Sequence, residues 1–350
     1  MPDELPAAGW VETPYQRPAE GGKRAQCLLC PHRCRLREGA RGICRMRVVR
    51  EGRVWATNYG RVGALQLDPT EKKPLFHFHP GSFLLSVGLP GCNLTCSFCQ
   101  NWELSQREPE TVRIAPEELA ERTVKLQADV PQTVGIAYTY AEPLMAFEYV
   151  RDAAAAARAR GLRNCLVTNG YVSPEPRREM LALIDALNVD VKGFNASFYR
   201  RVCGGTLDPV RETVEEACAA GVHVEVTNLL IPGLNDSRDD LESLCQWLGS
   251  VSPNIPLHFS RYFPNYKLDL AATPVGTLRR AGEIAHGHLR FVYLGNAGEG
   301  EDTRCPACGE LLLARRGYAV RVVGLVEGPA GGCCRECGES IPIRGKVMAG

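Results

Sequence analysis

From Val134 onward, short apolar runs recur at a spacing that leaves few folds open. They begin at residues 134, 164, 188, 222, 255 and 289, which are 30, 24, 34, 33 and 34 residues apart. "VGIAYTY", "NCLVTN", "NVDVKG", "VHVEVTNLLI", "IPLHFSRYF" and "LRFVYLGN" are rich in β-branched or aromatic residues and nearly continuously apolar. Strands buried on both faces read this way. "SFLLSVG" from Ser82 is a seventh run of the same kind. Helical segments fill the gaps. Among them, Ser173 and Pro174 stand at the expected N-cap and N1 of one helix, and Gly161, Gly221, Gly249 and Gly287 at the expected helix ends. Parallel strands need such crossovers, so the cadence predicts an α/β fold. A partial or full (β/α) barrel is favoured over an open doubly wound sheet. In either fold, ligands bind at the C-terminal ends of the strands.

The first of these strands runs into "GLPGCNLTCSFCQNWELSQ", where Cys92, Cys96 and Cys99 follow a C-x3-C-x2-C pattern. An ion that only stabilises a fold usually has four ligands, whereas three thiolates on one loop leave a coordination position open. A [4Fe–4S] cluster normally takes one cysteine per iron, so three would leave one iron available to a small molecule. Structural zinc with a remote fourth ligand is the alternative.

The other cysteines, of 16 in all, are grouped as well. Cys27, Cys30, Cys34 and Cys44 close either a tetrahedral zinc or an auxiliary cluster, and zinc is preferred. The paired knuckles "CPACG" and "CRECG" offer Cys305, Cys308, Cys334 and Cys337 as a zinc ribbon, with Cys333 to spare. Cys165, Cys203, Cys218 and Cys245 read as buried apolar residues. His32 reads as an exposed structural residue, and His77 and His79 as structural residues alternating along a strand. The expected divisions are an extended or disordered N-terminus at 1–23, a Cys-rich module and linker at 24–80, the barrel at 81–300 and the ribbon at 301–350.

Forty-one basic and 40 acidic residues leave a formal net charge of +1, which argues against a dedicated nucleic-acid binder. No apolar leader or membrane-length run is visible. A cytoplasmic location is expected, where so many cysteines point to metals or redox chemistry rather than disulfides.

The C-x3-C-x2-C loop, with Phe98 just before its last cysteine, resembles that of the radical S-adenosylmethionine (SAM) superfamily. The resemblance implies a [4Fe–4S] cluster on Cys92, Cys96 and Cys99, with SAM chelating the open iron. Reductive cleavage would yield a 5′-deoxyadenosyl radical that abstracts hydrogen from a substrate. "TYAEP" stands where the superfamily often has Gly-Gly-Glu, so Glu142 alone carries over. "TNG" and "DVK" resemble motifs of pyruvate formate-lyase activating enzymes and assign Asn169, Asp190 and Lys192 to SAM binding. The order of "CPHRC", "GICRMR", "EKKPLFHFHPG", "LLIPGLNDS", "RYFPNY" and the ribbon resembles the radical SAM component of the AmmeMemoRadiSam system. That likeness implies the fold and the cofactor but no known substrate. The resemblance to activating enzymes favours a protein or peptide substrate, including partners of that system, and an electron donor such as flavodoxin or ferredoxin. Modification of RNA or a small metabolite is one alternative, and a non-catalytic zinc scaffold another. The terminal cysteine modules are expected to be structural and separate from the barrel's chemistry.

Overall fold

The computed structural model describes residues 9–19, 23–298, 300–328 and 331–348. Part of the expected N-terminal segment 1–23 lies outside them. Within them, Val11–Glu12 and Gln16–Pro18 are short strands, each in a three-stranded antiparallel sheet with strands of the Cys-rich module.

All seven expected barrel strands form, and each pairs in parallel with its neighbours. In order they are Phe83–Gly88, Thr133–Thr139, Arg163–Thr168, Ala186–Asp190, His223–Leu230, Leu257–Arg261 and Val292–Gly295. An eighth strand, Ala64–Pro69, pairs antiparallel with Phe83–Gly88. The sheet therefore reaches back into the stretch expected to be linker. Among the described residues no pairing joins Ala64–Pro69 to Val292–Gly295, so the barrel is partial. The N-terminal module is not a separate body, because Leu29, Met46 and Val54 belong to the same apolar core as Val87 and Ile136.

Local sequence explains the helices that follow each strand. Pro116–Asp129, Pro174–Leu181 and Asp208–Ala219 carry proline in their first turn, where its missing N–H costs nothing. Ser173 is the residue before its helix, as expected, but its hydroxyl makes no capping bond. Gly161 and Gly221 are left-handed just past their helices. Gly249 instead lies inside Arg238–Val251, two residues before its end. A Cβ there would stand 2.9 Å from the His288 carbonyl oxygen, so close packing, not chain reversal, requires this glycine.

The segment from Glu71 to Pro80 is not a strand; it packs against the start of the barrel strands. Glu225, fully buried, accepts bonds from the backbone N–H groups of Phe76 (3.0 Å) and His77 (2.7 Å). Its two oxygens also lie 2.9 Å and 2.7 Å from Nε2 of His223 and His258. Asn188 Nδ2 donates to the Pro74 carbonyl. His77 is buried and meets the Tyr293 hydroxyl at 2.7 Å, and His79 is half-buried with its N–H on the Arg344 carbonyl.

The ribbon occupies the open side of the barrel. Buried Arg315 donates to the Phe76 carbonyl, to Thr303 Oγ1 and to the Glu301 carbonyl. Its Nε lies 3.8 Å from Glu71 Oε1, and both side chains are excluded from solvent. Leu312, Leu313 and Ile341 share an apolar cluster with Phe76, Phe291 and Tyr293. One guanidinium thus ties together the segments that follow the two edge strands, at Glu71 and Phe76 on one side and Glu301 and Thr303 on the other.

Glu225→Gln replaces a four-bonded anion by an amide whose NH2 must face groups that now donate. The expected cost is about 3 kcal/mol, the scale of breaking a buried charged pair. A lowered urea midpoint with an unchanged slope is the expected result.

Candidate functional site

A cavity of about 1750 Å³, mouth included, opens at the C-terminal ends of the strands and is lined by Cys92, Cys96 and Cys99. The loop that carries them is fixed on both sides. Gly91 has φ +105°, and a Cβ on it would stand 2.9 Å from the Cys44 carbonyl oxygen, so only glycine fits. On the far side, Thr95 N–H donates to the Cys203 carbonyl at 2.8 Å, and Lys267 N–H to the Ser97 carbonyl at 2.9 Å. "RYFPNYK" thereby touches the cysteine loop.

Burial pushes the Cys92 thiol well above its ordinary value, helped by the Glu142 carboxylate. The Cys203 thiol and then burial do the same to Cys96, and burial to Cys99, whose sulfur meets Ser105 Oγ at 3.3 Å. Such thiols keep their protons until a metal displaces them. Cys203 was read from sequence only as a buried apolar residue. It sits beside the loop at the end of a π-helical turn, Tyr199–Cys203, a distortion frequent at functional sites.

Glu142 lies at the end of strand Thr133–Thr139 and is 1% exposed. Its carboxylate accepts from Asn169 N–H (2.7 Å), Thr168 Oγ1 (2.8 Å) and Leu144 N–H (3.1 Å). Burial nevertheless pushes its carboxyl up to about 7. No cation bonds it directly, and Lys192 offsets its burial only in part, so a cationic ligand beside it would favour its ionised form. Across the cavity Lys192 Nζ bonds Asp190 Oδ2 at 2.8 Å. Burial opposes the charge on Lys192, but Asp190 and the Cys96 thiol outweigh it and raise its pKa.

Asn169 and Phe98 both line the cavity and have partners within the protein. Asn169 is committed within the protein: its Nδ2 lies 3.0 Å from Asn93 Oδ1 and 3.6 Å from Cys92 Sγ, and its Oδ1 accepts from Tyr171 N–H. It orients the cysteine loop. Phe98 is buried and stacks on Phe198, with centroids 6.1 Å apart, at the cavity wall.

Where Gly-Gly-Glu was the pattern for comparison, Tyr140 adopts φ +71° without being glycine. Its hydroxyl donates to Asp68 Oδ2 at 2.6 Å, and Lys73 Nζ stands 4.6 Å from its ring centroid. Asp68 is buried, yet the bonds from Lys72, Lys73 and Tyr140 hold its carboxyl well below the usual range. Sequence reading missed this cluster, because its members sit in the segment taken as linker.

The terminal modules also bear on the cavity. Gly317 and Tyr318, at the turn of the ribbon's hairpin, line it, so the ribbon reaches the barrel's cavity. The sulfurs of Cys305, Cys308, Cys334 and Cys337 all lie within 4.8 Å of one another, with two pairs at 3.6 Å. That is the spacing of one tetrahedral ion. Cys333 stands outside the group, against the Glu327 carbonyl. His32 is half-buried rather than exposed, its Nε2 2.8 Å from the Asn93 carbonyl oxygen.

A parallel strand thus delivers three thiols to a cavity at the strand ends that also holds a buried carboxyl and a lysine, the place and the groups of an α/β enzyme's site. Residues 86–248 match the Radical SAM superfamily. An uncharacterized protein of Methanocaldococcus jannaschii is 42% identical over 329 residues, covering 91% of this chain and 96% of that one. Pyruvate formate-lyase 1-activating enzyme of Escherichia coli is 26% identical over 164 residues, 44% of this chain and 63% of that one. Benzylsuccinate synthase activating enzyme of Thauera aromatica is 29% identical over 116 residues, 33% of this chain and 35% of that one. The chain belongs to the radical SAM superfamily. It is an enzyme of that class with activating-enzyme homologues; these matches do not reach the AmmeMemoRadiSam branch. Among the described residues, no helix is long and apolar enough to cross a membrane.

Cys308→Ser is expected to abolish retention of one tightly bound metal ion and to lower the melting temperature by several degrees. Metal analysis after gel filtration and a thermal scan check both.

Proposed function

We propose that Cys92, Cys96 and Cys99 hold a [4Fe–4S] cluster with one iron left for SAM. The observation that carries this reading is the donor set: three thiols, and no fourth cysteine, line a cavity that also exposes Glu142 and Lys192. Bound there, cluster and SAM supply one-electron cleavage of the sulfonium and a carbon radical for hydrogen abstraction.

The chain's own part is binding and orientation. Glu142 accepts the SAM ammonium, a cation bonded to it directly. Lys192, held by Asp190, meets the methionyl carboxylate. Phe98 keeps water from the loop, and Asn169 fixes Cys92. The ribbon cysteines hold zinc, whose preferred geometry and thiolate ligands match their spacing.

The substrate class we favour is a protein or peptide, with a glycyl position as the hydrogen donor. Activating-enzyme homologues support this, as does a cavity mouth rimmed by the ribbon. A flavodoxin or ferredoxin is the proposed electron donor, and proteins of the AmmeMemoRadiSam system are the proposed partners. All sixteen cysteines are free thiols, in keeping with a reducing, cytoplasmic setting.

Anaerobically reconstituted protein given dithionite and SAM should release 5′-deoxyadenosine. The triple change of Cys92, Cys96 and Cys99 to alanine should abolish release; turnover equal to wild type would refute the assignment. Glu142→Gln should weaken SAM binding about ten- to a hundredfold at unchanged iron content, the worth of one charged hydrogen bond.

A further inference from the structure

The N-terminal cysteines were preferred as a zinc site from sequence, and their geometry argues otherwise. The ribbon provides a standard within the same molecule. Thiolates around one tetrahedral zinc stand about 3.8 Å apart, and the ribbon's sulfurs approach that spacing. The thiolates of a cubane cluster point outward from separate irons and stand about 6 Å apart. Among the described residues, only the ribbon brings three or more ligand atoms of Cys, His, Asp or Glu within 4.8 Å of one another. No three of the sulfurs of Cys27, Cys30, Cys34 and Cys44 are gathered that closely, nor are those of Cys92, Cys96 and Cys99.

They are not scattered, however. All four line one small cavity, walled by Leu29, Ile43 and Met145.

A second, independent observation lies in the same wall. Arg47 lines the cavity and is 1% exposed. Its Nη1 bonds Glu148 at 2.8 Å and its Nη2 the Met145 carbonyl at 3.1 Å, but its Nε is buried with no partner. A buried donor left unpaired is costly, and this one borders four sulfur ligands. The sulfides and thiolates of a cluster would accept from it, and its charge would offset theirs.

From the width of the quartet, the cavity it encloses and the orphaned Arg47 Nε, we infer that Cys27, Cys30, Cys34 and Cys44 hold a second [4Fe–4S] cluster. With one thiolate on every iron it has no position for SAM. Its site adjoins the first. The Asn93 carbonyl bonds His32, which lines the quartet's cavity, and Asn93 directly follows Cys92. A Cβ on Gly91 would likewise meet the Cys44 carbonyl. Residues 91–93 are a wall common to both sites.

The test is iron, sulfide and zinc analysis of the full chain after anaerobic reconstitution and desalting. Wild type should carry about eight irons, eight sulfides and one zinc, and the Cys92/Cys96/Cys99→Ala triple variant about four irons with its brown colour retained. Four irons and two zincs in wild type, with none of the iron left in the triple variant, would overturn the second cluster while leaving the SAM site standing. Four irons in both proteins would uphold the second cluster and sink the SAM-site assignment instead. Six irons in wild type would mean a smaller centre and overturn the cubane. The wild-type zinc count discriminates by itself, so a triple variant that fails to fold does not remove the test.

Discussion

A single buried carboxylate organises this barrel. Glu225 has no access to water, and its oxygens are shared among two backbone N–H groups and two imidazoles. Burying a carboxylate costs several kcal/mol unless it is fully partnered. The arrangement is stable only when the segment bearing Phe76 and His77 is seated against the strands. Packing of Phe76, Tyr293 and His258, with ring centroids 4.7–5.1 Å apart, depends on that seat. So does the ribbon, because Arg315 takes the Phe76 carbonyl as one of its acceptors.

The site is consequently a joint product of three stretches of chain. The barrel brings the three thiols, Glu142 and Lys192. The stretch before it brings Asp68 and Lys73, which support Tyr140 in a left-handed conformation rare for a non-glycine residue. The ribbon brings Tyr318 to the rim. Loops placed by a rigid sheet commonly carry function; here the sheet's partial closure makes room for the outer modules to contribute as well.

Much of the barrel was legible because its signal is local. Seven apolar runs and their crossovers can be read one at a time, and the three-cysteine loop shows by its spacing a ligand set left one short. What escaped reading depends on partners far along the chain. In "VHVEVTN", Glu225 looks like an ordinary polar position, and nothing nearby says that it binds backbone groups about 150 residues earlier. "EKKPLFHFHPG" alternates as a strand would, yet its backbone bonds go to Glu225 and Arg344 instead of to a ladder. Cys203 carries no motif, and its place beside Cys96 arises from a π-turn. Whether the N-terminal quartet suits one ion or a cluster turns on the distances between its sulfurs, which ligand spacing in sequence does not encode.

The seam of the barrel also bears on how the protein is made. Synthesis runs at about 5–20 residues per second, and early segments fold while later ones are still in the ribosome. Arg315 and the hairpin around it emerge only after every strand of the sheet. Until then the nascent cavity lacks its last wall, and the cysteines inside face solvent through the gap. Metallocentre assembly has its widest access in that interval, before translation of the ribbon closes the door behind it.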